Sequence, residues 1–375
     1  MIKVSRWVFF CLSLLLFTAC SSDSKAQNKT VITQDITSTD TKEDNFPKAD
    51  KIISQPIIYH DSAAIPQLQS GYGTFGSHEV ATKSITNTHY EGNLQTTLYY
   101  PKDLKTSRPT LFFYAGAGIY NANTYKGLFY FVASKGYNII FITYSNYSLR
   151  PLPSSTQEAL TAFTSHIDIS KVGFIGHSMG AGVTYWIINQ FPELGSDARI
   201  LFPMASGYSA FNVNNMIPHD KIIALPENTK MILQVYAKDH STDIRIGIDL
   251  FLNNSILKKD KDFMFVYGDS KHSADHSSMA SKGGYDVDAM MQRTIYRPLD
   301  ALMDEAFNHN NQATIIMKAE SKNDPYFYPY IDDSPQNDIN ASYIFPIDFY
   351  PFNCHEVKGS IYISKRKDYC SALEL

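Results

Sequence analysis

The hydrophobic pattern divides the chain into a polar leader region, a long stretch of alternating elements and an irregular end. From about residue 70, short apolar runs rich in β-formers alternate with segments of helical spacing. Residues 78–86 and 94–100 read as strands, the second stopping at Pro101. Thr110-Leu111-Phe112-Phe113-Tyr114 is a buried strand that runs into Ala115-Gly116-Ala117-Gly118. Residues 123–135 place Tyr125, Leu128, Phe129 and Val132 on one helical face, and Gly136 ends that helix. Strands follow at Asn138 to Tyr144, Lys171 to Ile175, Ala198 to Met204, Lys230 to Tyr236 and Phe263 to Tyr267. Helices are expected at Gln157 to Ser165, Ala181 to Gln190, 243–254 and 286–307. Continuous apolar strands alternating with helices predict an α/β fold, with a mostly parallel central sheet covered by helices on both faces.

The two ends depart from this pattern. Lys3 and Arg6 precede an apolar run from Trp7 to Phe17, then Thr18-Ala19-Cys20. A positive segment, a short apolar core and small residues are the marks of a secretory signal. The small pair before a cysteine resembles a bacterial lipobox, with Phe17 standing where Leu is usual. On that reading residues 1–19 are a lipoprotein signal peptide and Cys20 is the lipid attachment point. Acyl chains there would hold the protein to a membrane without a spanning helix. Residues 20–55 are rich in Ser, Thr, Asp, Lys, Asn and Gln and read as a flexible tether. The domain proper is expected over 56–310. Residues 311–375 form a C-terminal appendage rich in Tyr, Pro, Asp and Asn.

Cysteine usage fits an exported chain. Of the four cysteines, Cys11 leaves with the signal and Cys20 is lipidated. Cys354 and Cys370 remain, and an oxidising compartment would pair them in a disulfide. The expected location is bacterial, as a membrane-anchored lipoprotein of the outer membrane or periplasm, or a secreted form. Composition removes one class of partner: the net charge is −4, so no broad basic field exists to hold nucleic acid. The 25 Tyr and 23 Phe are mostly packing residues, with some available to line a cleft for an apolar substrate. No His/Cys spacing suggests a metal site, and no cofactor is expected.

Gly176-His177-Ser178-Met179-Gly180 carries the chemistry. A pentapeptide of this form arises by chance in roughly one chain in ten of this length. Here, however, it follows an apolar strand and opens a helix. A Ser on a sharp strand-to-helix turn projects its hydroxyl from the sheet, and the turn leaves no room for side chains two residues either way. Ser178 is therefore the candidate nucleophile. His177 reads as a packing or cleft-lining residue. The acid should follow a later strand: Asp239, after the strand ending at Tyr236, is the candidate, and Asp243 the alternative. The base should lie after the last strand: His272 is the first His there and the leading candidate, with His276 as the alternative in the same loop. His240 adjoins Asp239 too closely to be held by it. The oxyanion donors are expected to be the amides of Met179 and Ala117.

Several separated segments then resemble the polyester-hydrolase, cutinase-like and dienelactone-hydrolase-like branch of the α/β-hydrolases, which includes platelet-activating-factor acetylhydrolases. They are Tyr99-Tyr100-Pro101, Gly116, Ala133-Ser134-Lys135-Gly136-Tyr137, Lys171 to Gly182, Ala237-Lys238-Asp239 and Lys271-His272-Ser273. The resemblance spans roughly residues 75–300. It implies the α/β-hydrolase fold, hydrolysis of carboxylic esters from short acyl chains to lipids and polyesters, and no cofactor. Ala117 stands where that branch often has an aromatic residue, and Ala115-Gly116 where lipases have His-Gly. A small-molecule or lipid ester is the expected substrate, with the membrane reached through Cys20. A peptidase or acyltransferase on the same three residues, or a non-catalytic surface-binding lipoprotein, are the alternatives.

Overall fold

The computed structural model describes residues 50–54, 66–145, 148–207, 224–242, 244–269, 272–280, 287–324 and 326. The signal, Cys20, most of the tether, Asp243, Cys354, Cys370 and all of the chain beyond 326 lie outside the described residues.

Nine strands form one sheet: β1 (Lys51–Ile52), β2 (Val80–Thr86), β3 (Gln95–Pro101), β4 (Arg108–Tyr114), β5 (Asn138–Ile142), β6 (Ile167–His177), β7 (Ala198–Met204), β8 (Thr229–Tyr236) and β9 (Lys261–Val266). Their order across the sheet is β1-β2-β3-β5-β4-β6-β7-β8-β9. The strands from β5 to β9 run parallel, and β1, β2 and β3 add an antiparallel edge. The fold is thus α/β with a mostly parallel sheet, as the alternating pattern predicts.

The helices are α1 (Lys126–Ser134), entered by a 3-10 turn at Ala122–Tyr125, α2 (Leu152–Ala162), α3 (Met179–Ile187), α4 (Ile244–Leu252), the short α5 (Ala289–Met291), α6 (Arg297–Phe307) and α7 (Ala313–Ser321). The continuous apolar runs of the strands are explained by burial on both faces. Leu111 and Phe113 of β4 join a core with Leu128 of α1 and Leu299 of α6. Phe112 and Tyr114, pointing the other way, join a second core with Leu160 of α2, Val183 of α3 and Ile248 of α4.

Several elements differ from the sequence reading. Helix α2 begins at Leu152, five residues earlier than expected, with Pro in its first turn. Its early face is polar: Ser155 Oγ donates to Asn87 Oδ1 and Thr156 Oγ1 to the Leu152 carbonyl, which hides the helical spacing. The expected 286–307 helix is interrupted by a π-helical turn at Gln292–Tyr296. Pro298 has no amide to offer the Thr294 carbonyl, and that carbonyl instead accepts the side-chain amide of Gln234 from β8. Finally, the supposed tether and appendage both reach the domain. Lys51–Ile52 pairs with β2, and α7 packs against α6.

The topology positions the site. From β4 the chain passes to β5 on one side, then crosses back to β6 on the other. At such a reversal the loops leaving adjacent strands diverge and open a crevice at their carboxyl ends. The loop after β4 carries Gly116 and Ala117; the turn after β6 is Ser178.

Candidate active site

Ser178 is the single residue between β6 and α3, with φ 57° and ψ −121°. Such a conformation costs a non-glycine residue roughly 1–3 kcal/mol and persists only where the surroundings enforce it. Here they do. The Ser178 amide donates to the Met204 carbonyl at 2.9 Å, and its carbonyl accepts the amides of Gly182 and Gly207. The flanking glycines are forced by contact: a Cβ at Gly176 would stand 2.4 Å from the Gly180 carbonyl oxygen, and one at Gly180 would stand 2.0 Å from that of Tyr114.

The hydroxyl of Ser178 lies 2.9 Å from Nε2 of His276, and Nδ1 of His276 lies 2.8 Å from Oδ2 of Asp239. A carboxylate only accepts, so in the neutral ring Nδ1 carries the proton. Nε2 then presents a lone pair to the Ser178 hydroxyl. Asp239 is nearly inaccessible, while His276 keeps partial access to solvent. Burial pushes the Asp239 carboxyl up. Hydrogen bonds from His276 and Thr242 outweigh it and hold the group below its ordinary range. Three donors besides His276 fix the orientation of the carboxylate: the Ser241 and Thr242 amides reach Oδ1 at 2.8 Å, and the Thr242 hydroxyl reaches Oδ2 at 2.6 Å.

His272 is therefore not the residue beside Ser178: of the two histidines expected for the base, the structure places the alternative, His276, there. The His272 ring is buried against Asp269, with Nδ1 at 3.1 Å from Oδ1, and against Tyr326. The reason is reach. Strand β9 is separated from β6 by β8 and β7, so the loop must cross three strand spacings, about 14 Å. The first residues after β9 are spent on a tight turn, in which the Asp269 amide donates to the His272 carbonyl. The next four residues make the crossing. They are fastened to the loop after β8 on the way, the Lys238 amide donating to the Ala274 carbonyl at 2.8 Å.

Met179 opens α3, directly after Ser178, so its amide has no acceptor within the helix. Gly116 passes so close to Ser178 that a Cβ there would lie 3.2 Å from Ser178 Cβ. Ala117 follows it and is exposed. Tyr144 fixes the start of this loop by donating its hydroxyl to the Ala115 carbonyl at 2.5 Å.

Two residues beside the site read from the sequence only as packing or cleft-lining positions, with no sign of their hydrogen bonds. His177 is buried, with Nδ1 2.7 Å from the Tyr125 hydroxyl and Nε2 2.9 Å from the His276 carbonyl. Burial, reinforced by the neighbouring His276, pushes its pKa down to about 3, so its ring is neutral. Tyr125 ends the 3-10 turn before α1, where the spacing marks it only as a core position. Among the described residues no cluster of three His, Cys, Asp or Glu could hold a metal, and no helix is long and apolar enough to cross a membrane.

No protein-family model matches the chain, and no curated protein matches it.

Proposed function

We propose that the chain is a serine hydrolase of the α/β-hydrolase fold that cleaves carboxylic esters through an acyl-enzyme on Ser178. The observation that carries this reading is the unbroken line Ser178–His276–Asp239, at 2.9 and 2.8 Å, on a turn whose backbone is held in the left-handed region. His276 Nε2 takes the hydroxyl proton as Ser178 Oγ attacks the ester carbonyl, and Asp239 stabilises the imidazolium. The amides of Met179 and Ala117 are the proposed donors to the oxyanion. Collapse of the tetrahedral intermediate expels the alcohol, which takes the proton from His276. A water activated by the same ring then releases the acid and regenerates Ser178.

Replacing Ser178 by Ala should abolish hydrolysis of p-nitrophenyl esters and labelling by a fluorophosphonate probe, with the protein still folded. Undiminished activity would remove the proposal. The leader pattern ending in Cys20 supports an exported protein tethered by a lipid; Cys20→Ser should then release it from the membrane fraction, and a variant that stays bound would count against the anchor.

A further inference from the structure

The two bonds of His177 have a direction. A carbonyl oxygen only accepts, so Nε2 of His177 carries the ring's proton and donates it to the His276 carbonyl. In a neutral ring Nδ1 is then an acceptor, and the Tyr125 hydroxyl must donate to it. The Tyr125 oxygen keeps lone pairs, and the Gly116 amide points at it from 3.5 Å. The result is one directed chain from the Gly116 amide through Tyr125 and His177 to the backbone of His276. Its two ends are the loop after β4 and the loop after β9, which share no strand pairing. All the intermediate groups are buried, so water does not compete for these bonds. The rings of His177 and His276 also pack against each other, with centroids 4.7 Å apart.

We propose that Tyr125 and His177 are a positioning pair that holds the His276 backbone and the Gly116–Ala117 loop in register about Ser178. The inference rests on the serine-hydrolase reading for its consequence, not for its geometry. Neither residue touches the reacting atoms. The pair acts on where Nε2 of the base and the upstream amide stand, and displacements on the order of 1 Å at such points cost about 100-fold in rate.

Tyr125→Phe removes only the hydroxyl and keeps the ring that packs against Phe113 and Phe129. With the full-length protein, the expected result is a kcat for p-nitrophenyl butyrate lowered about 10- to 100-fold with KM within twofold, and fluorophosphonate labelling slowed to match. His177→Gln retains a donor near the position of Nε2 and should recover most of the activity lost in His177→Leu. The double variant Tyr125→Phe, His177→Leu should be no slower than His177→Leu alone, because one chain is broken once. Nitrogen-15 NMR of the histidines gives a readout independent of turnover. Wild type should show His177 as the Nε2–H tautomer, and Tyr125→Phe should move the Nδ1–H resonance of His276. If Tyr125→Phe leaves both the labelling rate and the His276 resonance unchanged, the pair positions nothing and the inference is overturned. A wild-type serine that never reacts would instead sink the hydrolase reading, while the His276 resonance still decides the pair.

Discussion

Two Asp–His pairs draw their histidines from one short loop after β9 and differ in what each histidine can reach. Asp269 and His272 are three residues apart, within one turn, and that pair is closed off by Tyr326. Asp239 and His276 come from different strand ends, 37 residues apart, and the far side of His276 meets Ser178. The first pair shapes the loop by local bonds. The second spans the tips of the sheet, which only the folded sheet brings together. Imidazole and carboxylate at hydrogen-bond distance are thus common to both, and placement across the sheet separates them. The largest effect should fall on this contrast. His276→Ala is expected to lower kcat by roughly 10⁴- to 10⁶-fold, as loss of the general base does in comparable sites. His272→Ala should keep kcat within about tenfold and instead lose about 1–3 kcal/mol of stability, from the lost contacts of the buried ring with Asp269 and Tyr326. Steady-state kinetics and urea unfolding on both variants check this, and equal losses of kcat in two folded variants would erase the distinction.

That contrast also marks where the sequence was legible. The strands β7 and β8 are readable almost to the residue because both their faces are buried, which makes most of their positions apolar. The elbow is readable because its glycines answer a local contact that no other residue tolerates. His272 and His276 are indistinguishable in the same terms: both follow the last strand, and the choice depends on how many residues the turn at Gly268 consumes. The start of α2 and the π-helical turn were equally hidden, since their polar groups are satisfied by Asn87 and Gln234 from distant parts of the chain. Lys51–Ile52 was hidden for another reason: a two-residue edge strand leaves no periodicity to read.

The elbow offers the next test of local against long-range control. A Cβ at Gly180 would meet the backbone carbonyl oxygens of Tyr114 and Ala115 at 2.0 and 2.4 Å. Tyr114 ends the central strand β4 and Ala115 follows it directly, and both atoms are backbone, so neither can yield as a side-chain tip would. Gly180→Ala should therefore cost about 3 kcal/mol, the upper part of the range for overpacked sites, and should separate the β4 loop from Ser178. Chemical denaturation together with fluorophosphonate labelling measures both effects. A variant that matches wild type in each would mean that the close approach of β4 and α3 is not required.

The smallest expected effect isolates His177 from the other histidines by its protonation. Its folded-state pKa of about 3 lies below the ordinary 6.5, so below pH 6.5 the unfolded chain binds a proton that the folded chain refuses. By linkage, stability is then lost as pH falls from 6.5 toward 3. Between pH 7 and pH 5 this one group should withdraw about 2 kcal/mol from wild type. Asp239 works over a different window: its carboxyl is held below 3.8, so the stability it adds is present throughout pH 5–7 and disappears only in more acid solution. His166, pushed down chiefly by burial, contributes equally to wild type and to any variant at position 177 and cancels in the difference. His177→Gln removes the titration while keeping a buried donor to the His276 carbonyl. Urea unfolding at pH 7 and pH 5 should thus show the variant losing about 2 kcal/mol less than wild type over that interval. Identical losses would mean that His177 accepts a proton in the folded state, and with it that the directed bond from Tyr125 into Nδ1 does not exist.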